Sequence, residues 1–105
     1  MEIKKNVKDN KAEIAPIGRL DTTTSPELEK ELKEILEQGI DDLVLDFADV
    51  DYVSSAGLRV LLFAQKSVNE KGEMLIRNVR PEIMEVFDMT GFADILTVED
   101  AAKDK

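Results

Sequence analysis

The stretch LVLDFADVDYVSSAGLRVLLFAQKSV, residues 43–68, decides the fold, because its hydrophobic period changes partway along. Leu43-Val44-Leu45-Asp46-Phe47 is a short, nearly continuous apolar run, the pattern of a strand covered on both faces of a sheet. Val50 to Val53 leads from it into a helix expected to start near Ser55, with Leu58, Leu61, Leu62, Gln65 and Val68 on one side. Val60, Phe63 and Ala64 broaden that apolar surface, and Gly72 is expected to close the helix. A buried strand feeding an apolar helix is the unit from which α/β sheets are built.

Upstream, residues 1–20 read as a hairpin. Ile3 and Val7 lie in its first strand, while Ala12, Ile14 and Pro16 alternate with Glu13, Ala15 and Ile17 in its second. Asp9-Asn10 supplies the turn, since short Asx side chains tolerate left-handed backbone. Pro16 cannot donate to a ladder, so an edge or a bulge is expected there, with Gly18 marking the same irregularity. Ser25-Pro26 starts a helix, Ser25 as the cap and Pro26 at the first position. Leu28, Leu32, Ile35 and Leu36 form its apolar stripe, and Gly39 ends it as a left-handed cap.

Downstream, Met74-Leu75-Ile76 reads as another central strand, and Pro81 opens a third helix carrying Ile83, Met84, Val86, Phe87 and Met89. Gly91 stops it, Ile95 to Val98 is a last short strand or extended segment, and residues 99–105 form a weak polar helical tail. The expectation is one α/β domain over residues 1–105, a mixed β-sheet of four to five strands with packed α-helices.

Composition narrows the chemistry. The 105 residues are 43% hydrophobic and 35% charged, a globular balance, and with 5% aromatics the core must be aliphatic. Without cysteine there is no disulfide, thiolate metal site or cysteine nucleophile; without histidine the commonest general base is missing. The net charge of -9 argues against binding nucleic acid through its phosphates and against docking on anionic lipid. No stretch approaches the roughly 18 apolar residues of a membrane span, and residues 1–10 lack a signal-peptide core, so the cytoplasm is the expected location.

Two segments could carry function. In Ser54-Ser55-Ala56-Gly57, small hydroxyl residues meet a helix start, whose unpaired amides favour an anion. A phosphoryl group on Ser55 would add about -1.5 to -2 charges there; a plain capping serine is the competing reading, and if Ser54 caps, Ser55 is freer. Gly57 would leave the backbone open to another surface. A nucleophile elbow is disfavoured, since Gly-x-Ser-x-Gly is absent and only a lysine, Lys66 or Lys71, could activate the serine. The second segment, Gly18-Arg19-Leu20-Asp21-Thr22-Thr23-Thr24, is a polar loop before a helix, either functional or merely a turn with redundant capping groups. Asp46, Asp49 and Asp51 lack the pattern of a calcium loop and read as surface charge. Met84, Phe87, Met89 and Phe92 could form an adaptable apolar docking patch, with core packing the favoured reading.

Taken together, Gly18-Arg19-Leu20-Asp21, Leu43-Val44-Leu45-Asp46-Phe47, the run from Val53 to Leu62, and Phe87-Asp88-Met89-Thr90-Gly91-Phe92 resemble the STAS domain, in order and over nearly the whole chain. The resemblance is to its anti-sigma factor antagonists, and it implies a non-enzymatic switch without a cofactor. Such antagonists bind a serine/threonine kinase that otherwise holds a sigma factor. Phosphorylation of a serine at the start of the second helix breaks that complex, and a phosphatase resets it. The family's site reads Asp-Ser-Ser/Thr/Ala-Gly-Leu, which places Ser55 on the phosphoacceptor and Ser54 where many members carry Asp. Asp21 falls on a loop aspartate beside the kinase-binding face. With Thr22, Thr23, Ser54, Ser55, Ala56, Gly57 and Arg59 it makes the expected docking surface. Ser-Ser-Ala-Gly versions also resemble STAS accessory subunits of transporters, such as lipid-transport ATPase complexes, which act without phosphorylation.

Overall fold

The structure, a computed structural model, describes residues 1–68 and 72–100. It opens with the hairpin β1 (Glu2–Lys8) and β2 (Lys11–Leu20), whose turn at Asp9-Asn10 places Asp9 at a φ of 56°. Helix α1 (Ser25–Glu37) leads to β3 (Asp42–Asp46) and β4 (Val50–Val53), then α2 (Ser55–Val68), β5 (Glu73–Val79), α3 (Pro81–Thr90) and β6 (Val98–Asp100). Only β1 is antiparallel to its neighbour; β2, β3, β5 and β6 run parallel in that spatial order.

The α/β class holds, but the described strands number six rather than four or five. The added one is Val50–Val53, which the sequence pattern treats as a lead-in to the helix. It pairs in parallel with Gly18–Leu20, while β3 pairs with the earlier part of the same strand, Lys11–Ile14. β2 therefore changes neighbour along its length. The change falls after Pro16, and the register slips between Gly18 and Arg19. A residue without an N–H suits the seam where ladder bonds on that side lapse.

The core follows from period two. Ile14, Leu45 and Ile76 are register partners across β2, β3 and β5, as are Ala12, Leu43 and Met74. All six are buried, and α1 and α2 pack against this sheet through Leu28, Leu32, Ile35, Leu58, Leu61 and Val68. On the other face the row Glu13, Val44 and Leu75 is more open, though Val44 is itself buried. Phe47 and Phe87 are fully buried, giving an otherwise aliphatic core its two large plugs. At the sheet edge, β1 exposes Lys4, Lys5 and Lys8.

Three local expectations change. Ser25 is not the cap: Thr24 holds that position, and Ser25 is the first helical residue, 2% exposed. Met89 is 81% exposed rather than core, because it lies on the outer side of the last turn of α3, while Ile83 and Phe87 face inward. The last strand is Val98–Asp100, since residues 92–94 tighten into a 3-10 turn and Leu96 turns inward first. Glu99 lies in that strand rather than in a helical tail, and residues 101–105 lie outside the described residues. Gly39, at a φ of 88°, and Gly91, at 83°, stop their helices as expected. Gly72 donates its N–H to Val68 O at 2.7 Å, consistent with closing α2, though residues 69–71 lie outside the described residues.

Asp46, read from sequence as surface charge, is a structural tie. Its carboxylate accepts from Asn78 Nδ2 and from the Ala48 N–H, both at 3.0 Å, and lies 3.5 Å from Arg77 Nε. Partial burial works against ionisation, yet the Asn78 and Ala48 hydrogen bonds and the Arg77 charge hold its carboxyl below the usual range. A depressed carboxyl contributes stability above its unfolded value of about 3.9 and loses it as pH falls through the folded value. Asp46→Asn is expected to cost about 1 kcal/mol at neutral pH, discounted for its exposure. That difference should shrink as pH falls through the folded value of the carboxyl, which urea unfolding from neutral pH down into the acid range checks.

Candidate functional site

The parallel pairing of Gly18–Leu20 with Val50–Val53 ends two strands side by side, so the 21–24 loop and the start of α2 emerge together. One hydrogen bond joins them: Ser54 N–H donates to Leu20 O at 2.9 Å. The two segments singled out from sequence thus form one surface.

At the start of α2 the two serines divide their roles. Ser54 Oγ accepts the Gly57 N–H at 3.3 Å, and Ser54 O accepts the Leu58 N–H at 2.9 Å, so Ser54 is the cap. Ser55 is the first helical residue and exposed, and among the described residues its hydroxyl has no hydrogen-bond partner. An accessible hydroxyl at a helix N-terminus is what a phosphoacceptor requires, because the orphan amides and the helix dipole favour the anion it would carry.

Gly57 takes a different part from the one its sequence suggests. It is buried, and a Cβ there would lie 2.9 Å from Leu20 Cγ and 3.0 Å from Leu20 O. Its missing side chain lets α2 lie against the end of β2 rather than admitting an outside surface.

Asp21 organises the loop. Its Oδ1 accepts the N–H groups of Thr23 and Thr24, each at 3.0 Å, and its carbonyl accepts the Ser25 N–H at 2.8 Å. Thr24 Oγ1 in turn accepts the Asp21 N–H at 2.9 Å and donates to Arg19 O at 2.6 Å. The Thr24 N–H is the main cause holding the Asp21 carboxyl below the usual range; desolvation opposes it, and the Thr24 hydroxyl, the Thr23 N–H and the Arg19 charge add to it. Thr22 and Thr23 are exposed on the loop's outer side, and Ala56 is half-buried beside it.

The sequence pattern does not single out Tyr52 as part of this surface, nor Arg19 as its partner. The Arg19 guanidinium lies 4.1 Å from the Tyr52 ring centroid and 3.7 Å from Asp21 Oδ2. Tyr52, 40% exposed, is thereby fixed as a flat aromatic beside the loop. The signal available in the sequence is that Tyr52 is the chain's one tyrosine; its register pairing with Arg19 shows only in the fold.

A cavity of about 380 Å³ lies between the starts of α1 and α2, lined by residues that include Thr22, Ser25, Glu29, Ala56 and Arg59. A larger groove of about 580 Å³ lies at the opposite strand ends, near Asp42 and Glu73, away from Ser55. Lys66 is in the last turn of α2, about 16 Å along the helix from Ser55 at 1.5 Å per residue. It therefore cannot activate that hydroxyl, and Lys71 lies outside the described residues. Among the described residues no group of three or more His, Cys, Asp or Glu is placed to hold a metal. No helix among them is long and apolar enough to cross a membrane.

Comparison with known proteins follows the same outline. The STAS domain family model matches residues 2–104. The anti-sigma-B factor antagonist of Bacillus subtilis (strain 168) is 33% identical over 99 residues, which are 93% of this chain and 88% of that protein. Among solved structures, an anti-sigma factor antagonist from Mycobacterium paratuberculosis superposes with a TM-score of 0.85 at 18% identity, covering 93% of this chain and 84% of that one. The Bacillus cell fate determinant SpoIIAA in its phosphorylated form gives a TM-score of 0.75 at 18% identity, covering 97% and 93%.

Proposed function

This chain belongs to the STAS domain family, and from that premise we propose that it is an anti-sigma factor antagonist working by partner switching. Unphosphorylated, it binds an anti-sigma factor, a serine/threonine kinase, through the loop of Asp21, Thr22 and Thr23 and the outer side of the start of α2, Ser54, Ser55, Ala56 and Arg59. The kinase transfers the γ-phosphoryl of ATP to Ser55 Oγ, the hydroxyl giving up its proton and ADP departing, and the phosphorylated chain is released. A phosphatase hydrolyses the ester and restores the binding form. The chain itself catalyses nothing in this cycle; the family acts by binding.

The observation that carries this reading is the division between the two serines. Ser54 is committed to the cap, whereas Ser55 offers an exposed, unbonded hydroxyl at the centre of the surface. A serine that both capped and accepted phosphate would have to break the helix start first. The names of relatives such as the Bacillus subtilis anti-sigma-B factor antagonist support the same role.

The test is intact and peptide mass spectrometry after incubation with ATP and the candidate kinase of the same genome. One phosphate confined to Ser55 is expected, and none on the Ser55→Ala variant. A stable complex that never becomes phosphorylated would overturn the switch in favour of a constitutive accessory subunit.

A further inference from the structure

We propose that Arg59 grips the phosphoryl group of Ser55 within the chain, drawing it toward the cavity between α1 and α2 and taking Arg59 itself out of the docking surface. The inference rests on the phosphoacceptor reading above and adds an internal receptor for the phosphate.

Ser55 and Arg59 stand four residues apart on α2, one turn along the same face. Of the chain's four arginines, three are committed. Arg19 sits over Tyr52 and beside Asp21, Arg77 lies near Asp46 and Glu13, and Arg80 donates to Ala48 O at 2.9 Å and 3.1 Å. Arg59 is exposed and, among the described residues, has neither an ion pair nor a hydrogen bond. A guanidinium presents a planar fork of donors that matches a phosphate edge with two parallel bonds, which a lysine cannot do.

A second, independent observation comes from across the cavity. Ser25, 2% exposed, lines it together with Arg59, and its Oγ is buried with no partner. Buried hydroxyls are ordinarily hydrogen-bonded, so an unspent donor in the wall of this cavity is one that a turn of its side chain can offer to an acceptor oxygen. The N-terminal ends of both α1 and α2 flank the same space and favour negative charge. Glu29 also lines it and opposes an anion, but its carboxylate lies 3.6 Å from the Lys33 ammonium.

The consequence is a switch with two strokes. In the unphosphorylated chain Arg59 is a free cation on the docking surface, available to a carboxylate of the partner. Phosphorylation adds the dianion and, in the same event, occupies that cation.

The test needs no kinase. Phosphoserine is installed at position 55 during translation, and its second ionisation is followed by ³¹P NMR from pH 4 to pH 8 in the wild-type chain, Arg59→Gln and Arg59→Lys. Arg59 is exposed, and an unchanged amide spectrum verifies that each variant is folded. A partnered dianion holds its proton less tightly, so the wild-type midpoint is expected about 0.5 units below that of Arg59→Gln, a roughly threefold lower proton affinity. Arg59→Lys should fall between the two. Equal midpoints in the wild type and Arg59→Gln would overturn the internal grip. The kinase-binding reading fails separately, if the phosphorylated wild type binds the kinase as tightly as the unphosphorylated one; the midpoints do not bear on that result.

Discussion

Phosphorylated at Ser55, the protein is expected to bind its kinase about a thousandfold more weakly than the unmodified chain, a loss of about 4 kcal/mol. The magnitude follows from where the dianion would sit. Ser55 follows Ser54, which is tied to Leu20 just before the Asp21 loop, so a partner covering both segments must bury it. Even with Arg59 drawn to it, a dianion covered by a partner must give up its water and keeps oxygens that the partner leaves unsatisfied, which costs several kcal/mol. In the free protein the same group is favourable, because it stands at a helix N-terminus, where an anion contributes about 0.3–1 kcal/mol. Release is therefore expected without any loss of thermal stability. Calorimetric titration with the kinase and thermal unfolding of both forms separate the two effects. Ser55→Ala should bind like the wild type and resist release, and Ser55→Asp should weaken binding by a smaller factor, having one charge and fewer acceptors than a phosphoryl group. Wild-type affinity in the phosphorylated chain would refute the mechanism, and a lowered melting temperature would point to unfolding as the cause of release.

The second large effect is expected from Gly57→Ala. On helix propensity alone the substitution should stabilise, since alanine is favoured over glycine by about 1 kcal/mol within a helix. The packing decides otherwise. The added methyl would lie 2.9 Å from Leu20 Cγ and 3.0 Å from Leu20 O. Leu20 has no free side to move toward, being fully buried, and its carbonyl is held by the Ser54 N–H. Overpacking of this kind costs about 1–3 kcal/mol or more, so a net loss of about 2 kcal/mol is expected. For a domain of this size that is a fall of about 10 °C in Tm. Scanning calorimetry measures it, and a rise in Tm would show that α2 does not lie so close to β2. Because the displaced atoms also position Ser54 and Ser55, the variant should be phosphorylated more slowly even at temperatures where it is folded.

Much of this fold is legible in the chain because its period-two and helical patterns are local. Ile14, Leu45 and Ile76 each stand in an obvious strand, and the stripe Leu28, Leu32 and Ile35 admits only a helix. What escapes is set by contacts distant in sequence. Val50–Val53 has its two middle residues exposed, so no alternation marks it; it becomes a strand because Gly18–Leu20 lies alongside. Ser25 loses the cap position to Thr24 because every residue from Thr22 to Ser25 carries a hydroxyl, and only the reach of the Asp21 carboxylate selects among them. At the candidate site the sequence locates Ser55 and Asp21, but not the exchange of roles at Gly57. A glycine that admits a partner and one that admits a neighbouring leucine are written identically.

The lysines of β1 have a bearing on solubility. That strand ends the sheet, and an open strand edge is a template on which a second chain can add itself. Lys4, Lys5 and Lys8 are exposed along it, and among the described residues only Lys5 is neutralised, by Glu31 at 2.7 Å. Two molecules meeting along this edge would bring ammonium groups together and have to strip water from them. The protein thus guards against fibrous self-association along β1, a margin apart from the ends of β2 and β4 where the proposed partner would dock.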